Sequence, residues 1–179
     1  MINMFVKEVK IPSEVKVEIS GNKVKVTGPK GELEKSFIIP KDVKVEVVEG
    51  KVRVFTENER RKIKAIAGTI AAHIRNMIEG VTKGYVYKLK IIYSHFPINV
   101  KVEGNRVIIH NFLGERKPRE AEIIGNTKVE IKGQEIIVSG IDIEAVGQTA
   151  GNIEQATRIV GKDRRVFQDG IFIISKGEE

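Results

Sequence analysis

Basic side chains that could bind phosphate form two tight groups in the second half of the chain. One group lies around Pro118 in "NFLGERKPRE" and the other lies in "GKDRRVFQDG". Their members are Arg116, Lys117 and Arg119, and Lys162, Arg164 and Arg165. Arginine and lysine bind phosphate backbones without reading sequence, so loops that hold them on a rigid sheet suit a nucleic acid. The alternative is that both groups are ordinary solvated loops.

Residues for catalysis or metal binding form no recognisable arrangement. The histidines His73, His95 and His110 lack ligand-like spacing, and the chain has no cysteine. The glycine stretch "VGQTAGN" at 146–152 lacks the Gly-Lys-Ser/Thr ending of a nucleotide phosphate loop. We therefore predict no enzyme activity, no metal and no cofactor, while noting that acids distant in sequence can converge in space.

A second feature that could contact a nucleic acid is a pair of glycines in a predicted helix. Gly147 and Gly151 lie four residues apart, on one face, and each costs roughly 1 kcal/mol relative to alanine. Either close packing on a sheet or close approach of an RNA backbone explains them. Gln148 and Asn152 lie on or near that face as hydrogen-bonding candidates. With 6% aromatic residues and no Trp, shape recognition of folded RNA is favoured over base stacking.

The net charge of +7 and the pI of about 9.5 suit an anionic partner. The charge is unevenly divided, because residues 1–83 carry 17 Lys/Arg against 11 Asp/Glu while residues 84–179 carry 14 against 13. Net charge alone therefore places an anion on the first half. Local clustering places it on the second half, and we give clustering more weight because charges are screened beyond about 8 Å at physiological salt. No apolar stretch is long enough for a membrane span, so a soluble, intracellular protein is expected.

The elements that position these groups are predicted from an internal repeat. Gly21-Asn22 recurs as Gly104-Asn105 and Gly31-Glu32 recurs as Gly114-Glu115, both at a shift of 83 residues. The repeat predicts two similar domains, residues 1–83 and residues 84–179. Each is expected to be an α+β unit, a small antiparallel sheet with one packed helix.

Alternating apolar residues predict hairpins that turn at Gly21-Asn22 and Glu49-Gly50 in the first copy, and at Gly104-Asn105 and near Gly133-Gln134 in the second. The first helix is expected to follow a capping box formed by Thr56 and Glu59 and to end at Gly80. The second helix is expected from about Asp142 to Ile159. The apolar run Ile171–Ile174 is interpreted as a core strand that anchors the basic segment before it.

Longer motifs resemble a known family. "GIDIEAVGQTAGNIEQATRI" followed by "KDRRVFQDGIFI" resembles the C-terminal part of the large-subunit ribosomal protein L6 family, and "VTGPKGEL" and "IRNMIEGVTKGY" resemble its first half. The "RRVFQDGI" ending is similar to the archaeal and eukaryotic branch. It lacks the Pro-Tyr-Lys-Gly-Lys-Gly type segment of bacterial members, so bacterial contacts after residue 160 do not transfer.

The resemblance implies a duplicated two-domain fold, no catalysis and a structural place in the cytoplasmic ribosome. It further implies binding of large-subunit rRNA mainly through the second domain, near the sarcin–ricin loop and the docking region of translational GTPases. Neighbouring large-subunit proteins are the other expected partners. The residues onto which these contacts map are the Asn111–Arg119 loop, Gln148 and Asn152, and the Lys162–Arg165 segment.

Other functions are weighed beside this one. A free RNA-binding protein outside the ribosome belongs to the same binding class, whereas an RNA-processing or modifying enzyme belongs to a different one. A protein–protein scaffold is the weakest of the alternatives.

Overall fold

The computed structural model describes residues 4–178, and the chain divides into two compact units, Met1–Lys83 and Gly84–Glu179. Each unit contains antiparallel strands and one α-helix, so the predicted tandem duplication of α+β domains is confirmed. One detail differs from the expectation, because the strands of each unit form two separate sheets rather than one.

Within residues 4–83, the first unit has six strands and one helix. In chain order they are β1 (Phe5–Lys10), β2 (Lys16–Ser20), β3 (Lys23–Gly28), β4 (Gly31–Ser36), β5 (Val43–Val48), β6 (Lys51–Thr56) and α1 (Arg61–Thr82). The sheets have the strand orders β1-β6-β5 and β2-β3-β4. Alternating valines of the strands and the apolar stripe of α1 form one buried core, as the periodicity predicts.

Both ends of α1 differ from the prediction. The helix begins at Arg61, and Arg60 at the N-cap makes no side-chain capping bond. The Thr56–Glu59 capping box is wrong because Thr56 belongs to β6, where its hydroxyl accepts a bond from the Asn58 amide at 3.1 Å. The helix also continues past Gly80 to Thr82, and the left-handed backbone that follows is at Gly84, with φ of +80°.

The second unit repeats this order and adds a final strand. Its elements are β7 (Tyr85–Ile92), β8 (Asn99–Glu103), β9 (Arg106–His110), β10 (Arg119–Glu122), β11 (Lys128–Lys132), β12 (Glu135–Gly140), α2 (Ile143–Ala156) and β13 (Gly170–Glu178). A short 3-10 turn, Phe112–Gly114, lies between β9 and β10. The sheets have the orders β11-β12-β7-β13 and β10-β9-β8, around a core of their own.

The last strand lies where the apolar run predicts it. β13 pairs antiparallel with β7, with Ile171 opposite Ile91 and Ile173 opposite Leu89. Ile171 is fully buried, whereas Phe172 and Ile174 point to the exposed side. Half of the run therefore joins the core, which fixes the point where the preceding basic segment ends.

The second helix is shorter at its C-terminal end than predicted. Asp142 caps it by accepting a bond from the Glu144 amide at 3.0 Å, and the helix stops at Ala156. Buried Thr157 follows, and its hydroxyl donates to the Glu154 carbonyl and accepts from the Ile171 amide at 3.0 Å. The hydroxyl thus joins the end of α2 directly to β13.

Candidate nucleic-acid interface

The connection between β9 and β10 is a tightly held loop. Asn111 and Leu113 both adopt left-handed backbone, with φ of 61° and 53°, and the Phe112 ring between them is buried. The Asn111 amide nitrogen donates to the carbonyl oxygen of Pro97 at 3.0 Å. At Gly114, whose φ is +75°, a Cβ would come within 3.2 Å of the Phe96 ring. The loop is therefore rigid, and the side chain of Asn111 helps to hold it.

Arg119 uses its guanidinium inside the protein. Nε and Nη2 donate to the two carboxylate oxygens of Glu115 at 3.0 and 2.8 Å. Nη1 donates to the backbone carbonyls of Ala156 and Arg158 at 3.0 and 2.8 Å, and the group lies 4.5 Å from the centre of the Phe112 ring. Arg119 therefore ties the basic loop to the end of α2 by donating to the last carbonyl of the helix, that of Ala156, and to the carbonyl of Arg158 just beyond it.

The same contact explains the ionisation of Glu115. The hydrogen bond from Arg119 lowers the pKa of Glu115 below its ordinary value, against the opposing effect of partial burial. The pair therefore stays ionised near neutral pH.

Arg116 and Lys117 differ from Arg119 in being available. Both side chains are exposed, and neither makes a hydrogen bond or an ion pair within the part of the chain that the structure describes. The rigid loop carries both side chains, and none of their N–H donors is used in a bond within the described residues. Such groups can neutralise phosphate without first breaking an internal contact.

The polar residues of α2 form a short chain of hydrogen bonds. The Gln148 amide donates to Asn152 Oδ1 at 2.8 Å, and Asn152 Nδ2 donates to the carbonyl of Glu122 in β10 at 3.1 Å. Asn152 is thereby oriented, while Gln148 stays exposed with further donor and acceptor capacity.

The glycines of α2 are not explained by packing inside the protein. A Cβ at Gly147 would lie 3.7 Å from the Tyr87 ring, which is ordinary contact, and a Cβ at Gly151 would meet no atom within 4 Å. Close packing on the sheet therefore requires neither glycine. An external group that approaches the backbone remains as a reason for them.

The basic segment before β13 is internally paired at one of its three cations. Arg165 donates through Nη2 and Nε to the carboxylate of Asp163, at 2.9 and 3.1 Å, and its amide donates to the same group at 2.9 Å. These bonds lower the pKa of Asp163 and raise that of Arg165. Lys162 lies 4.8 Å from the centre of the Phe167 ring. Arg164 is exposed and makes no hydrogen bond or ion pair within residues 4–178.

An anchor that sequence reasoning missed holds the end of this segment. Asp169 is buried, and its carboxylate lies 2.9 Å from His95 Nδ1, with the Ser94 hydroxyl at 3.1 Å. The backbone amides of Ser94 and His95 also donate to it, both at 3.3 Å. The His95 ring stacks on Phe167 at 4.6 Å. No local signal marks this anchor, since 74 residues separate His95 from Asp169.

Specific bonds therefore hold the segments that carry the predicted site residues. Arg119 joins the loop to the end of α2, Asn152 joins α2 to β10, and Asp169 anchors the last basic segment to the end of β7. Residues 4–178 contain no group of three or more His, Asp or Glu placed to hold a metal ion. Neither helix in that range has the length and apolar character needed to cross a membrane.

Together, these observations define a duplicated α+β protein whose second unit carries the exposed cations Arg116, Lys117 and Arg164. The model of the family described as Ribosomal protein L6 matches residues 11–84 and residues 96–170, one match in each unit. The chain belongs to the ribosomal protein L6 family, which confirms the resemblance seen in its motifs. This is a family of ribosomal proteins and not of enzymes, in agreement with the prediction of no catalytic activity.

Individual relatives are similar over nearly their whole length. The large ribosomal subunit protein uL6 of Staphylothermus marinus is 57% identical over 175 residues, covering 96% of this chain and 95% of the relative. The proteins of the same name from Ignicoccus hospitalis and Archaeoglobus fulgidus are 55% and 53% identical, covering 94% of this chain in both cases and 92% and 88% of the relatives.

Proposed function

We propose that this chain is a structural component of the cytoplasmic large ribosomal subunit and binds large-subunit rRNA mainly through its second unit. Its relatives are named as proteins of that subunit. Phosphate neutralisation by exposed cations supplies the main affinity, and folded RNA is recognised by shape.

The observation that carries this proposal is that some residues of the basic loop hold its conformation while others are exposed. Arg119 and Asn111 hold the loop in place through internal bonds. Arg116 and Lys117 are exposed and make no such bonds within residues 4–178. A loop held this firmly loses little conformational entropy when its two free cations meet phosphate.

We assign the remaining candidates to direct or supporting roles according to their internal bonds. Arg164 and Lys162 are assigned to phosphate, and Gln148 and Asn152 to hydrogen bonds with the RNA backbone beside Gly151. Arg165 has a smaller part, because its carboxylate partner Asp163 already neutralises it.

The first unit keeps an excess of six cations (17 Lys/Arg against 11 Asp/Glu), which ion pairing within the unit does not cancel, whereas several of its strand cations are paired. Many of its strand lysines and arginines face glutamates across neighbouring strands, as in Lys25–Glu32 at 2.8 Å and Lys23–Glu34 at 3.5 Å. Charges that are paired across a sheet contribute little to the capture of an external anion.

The family resemblance further supports a location near the sarcin–ricin loop and the docking region of translational GTPases, with other large-subunit proteins as neighbours. This finer placement rests on the resemblance alone. Chemical footprinting of large-subunit rRNA with and without the protein tests it, and protection confined to other regions argues against it.

The rRNA-binding role is tested by binding measurements on a double variant, Arg116→Ala with Lys117→Ala. The log–log slope of affinity against salt is expected to flatten by roughly two, since two phosphate contacts are lost. A matched control, Lys101→Ala with Lys132→Ala, removes the same charge from β8 and β11 of the same unit and is expected to leave the slope close to that of the wild type. Equal slopes for the two double variants contradict the assignment of this loop.

A further inference from the structure

A cleft of about 740 Å³ lies within the second unit, beside the basic segment. Its walls come from the last turn of α2, the residues that follow it, the segment before β13, and the adjoining ends of β7 and β13. Among the phosphate contacts proposed above, Arg164 is the one that lines it. Its volume falls within the range of about 300 to 1,000 Å³ that is usual for small-ligand sites.

The apolar part of the cleft contains one available aromatic ring. Phe172 is 41% exposed although it belongs to a core sheet, and it is accompanied by Ile92, which is 39% exposed, and by Ile159. Phe172 packs against Gly170, where a Cβ would lie 3.0 Å from the ring. The other aromatic residue of the lining, Phe167, already carries the stacked His95 ring and the Lys162 ammonium group. A planar group that enters the cleft would therefore stack on Phe172.

The polar part of the cleft combines cations with hydrogen-bonding groups. Arg158 and Arg164 are exposed lining residues, and the Arg158 backbone is fixed by the bond from Arg119. Gln155 supplies an amide at the same wall. Two carboxylates also line the cleft, but that of Asp169 is occupied by Ser94 and His95, which leaves Glu154 as an acceptor.

We propose that this cleft binds a single unpaired nucleotide of large-subunit rRNA, which deepens the proposed rRNA-binding function and rests on it. The base stacks on Phe172, the phosphate lies against Arg158 and Arg164, and Glu154 accepts a hydrogen bond from a base that carries an amino group. A simple anion fits less well, because Glu154 repels it and the apolar wall offers it no favourable contact. A side chain of a neighbouring ribosomal protein is the competing occupant.

The low aromatic content of the chain argues against an extended stacking platform. A single nucleotide needs only one aromatic ring, so the proposed cleft is compatible with the expectation that this protein has no extended base-stacking surface. The site adds local base contact to an interface that otherwise depends on phosphate and shape.

The first test compares wild-type chain with Phe172→Leu and Phe172→Tyr, each bound to intact large-subunit rRNA and probed with dimethyl sulfate at unpaired adenines and cytosines. Phe172→Leu is expected to bind about tenfold more weakly with an unchanged salt slope, because stacking is lost and no cation is removed. One adenine or cytosine protected by the wild type should regain reactivity in Phe172→Leu, and Phe172→Tyr should restore its protection. Tyrosine fluorescence checks folding, since the chain's three tyrosines all lie in the second unit.

A second test identifies the occupant directly. The photoreactive residue p-benzoylphenylalanine, placed at position 172 in purified large subunits, is expected to crosslink to rRNA. A crosslink to protein alone, or Phe172→Leu with wild-type affinity and footprint, overturns the cleft proposal while leaving the rRNA-binding proposal in place. Absence of rRNA binding by the wild type overturns the rRNA-binding proposal itself.

Discussion

Asp169 Oδ1 lies 2.9 Å from His95 Nδ1, which joins the start of β13 to the residues after β7. Because an ionised carboxylate only accepts hydrogen bonds, Nδ1 is the donor in this pair. Ser94 donates to the same carboxylate through its amide and its hydroxyl. The loop that carries the basic segment 162–165 is therefore anchored at Asp169, just before β13 begins.

We predict that Asp169→Asn destabilises the second unit by about 2 kcal/mol at pH 7, because a buried carboxylate with several donors is replaced by a weaker acceptor. Burial alone would raise the pKa of Asp169, but the bonds from His95 and Ser94 lower it overall below its ordinary value. A lowered folded-state pKa stabilises the fold above about pH 4, and the stabilisation is lost as the pH falls through the folded-state pKa. The difference between variant and wild type should therefore shrink below pH 4.

Urea unfolding followed by tyrosine fluorescence measures this difference, because Tyr85, Tyr87 and Tyr93 all lie in the second unit. The matched control is Asp142→Asn at the N-cap of α2, where asparagine caps about as well as aspartate. A constant gap between wild type and Asp169→Asn from pH 7 to pH 3 is inconsistent with this role of the carboxylate.

Arg119→Lys should cost about 2 kcal/mol of unfolding free energy in the second unit, although the charge is kept. Lysine cannot reproduce the fork that reaches both Glu115 oxygens and two backbone carbonyls. The exposed neighbour supplies the control, and Arg116→Lys should change stability by less than about 0.5 kcal/mol. Urea unfolding of both variants distinguishes the structural role of Arg119 from the exposed position of Arg116. Equal stability of the two variants would contradict this difference.

Local features of the fold could be predicted because their causes lie within a few residues. The turn at Gly21-Asn22 needs only the left-handed glycine, whose φ is 59°, and the alternating residues on each side. The start of α1 could not be predicted in the same way. Thr56 has the type and spacing of a cap, but it pairs with Phe5 and with Val43 in the sheet, and those partners are distant in sequence.

The same distinction applies to the candidate site. Clusters of cations are visible in sequence, and the pairing of Arg165 with Asp163 spans only two residues. The internal use of Arg119 depends on carbonyls 37 and 39 residues away, so its type and neighbours alone predicted a phosphate contact. Cations that are exposed and cations that bond inside the protein look the same in the sequence, and only the folded structure distinguishes them.

Asp163→Asn is predicted to strengthen rRNA binding. Asparagine retains an oxygen that can accept the hydrogen bond from the Arg165 backbone amide, so the turn is kept. The substitution removes the negative charge that neutralises Arg165. With Arg165 released, the log–log salt slope should become steeper by about one. Affinity measured across a salt series gives this slope directly.

A double variant checks the cause of that change. Asp163→Asn with Arg165→Ala should return the slope to about the wild-type value, and Arg165→Ala alone should change it little. Arg164→Ala, in contrast, should flatten the slope by roughly one. If Arg164→Ala and Arg165→Ala flatten the slope equally, the pairing with Asp163 does not limit Arg165.

Gly151→Ala is expected to move stability and binding in opposite directions. A Cβ at this position meets no atom within 4 Å, so alanine should stabilise α2 by up to about 1 kcal/mol through helix propensity. If rRNA approaches this face as proposed, the added methyl group must displace its backbone, and affinity should fall about tenfold or more while the salt slope stays unchanged. Thermal unfolding and rRNA affinity of one preparation measure both effects.

The repeat supplies a control for this substitution. Gly68 in α1 also has no atom within 4 Å of a Cβ. When buried Ile74 of α1 is aligned with buried Ile153 of α2, Gly68 occupies the position of Gly147. Gly68→Ala should therefore stabilise the first unit by a similar amount and leave rRNA affinity unchanged. If Gly151→Ala binds rRNA as tightly as the wild type does, no RNA backbone contacts that face of α2, and Gln148 and Asn152 then lose their proposed role.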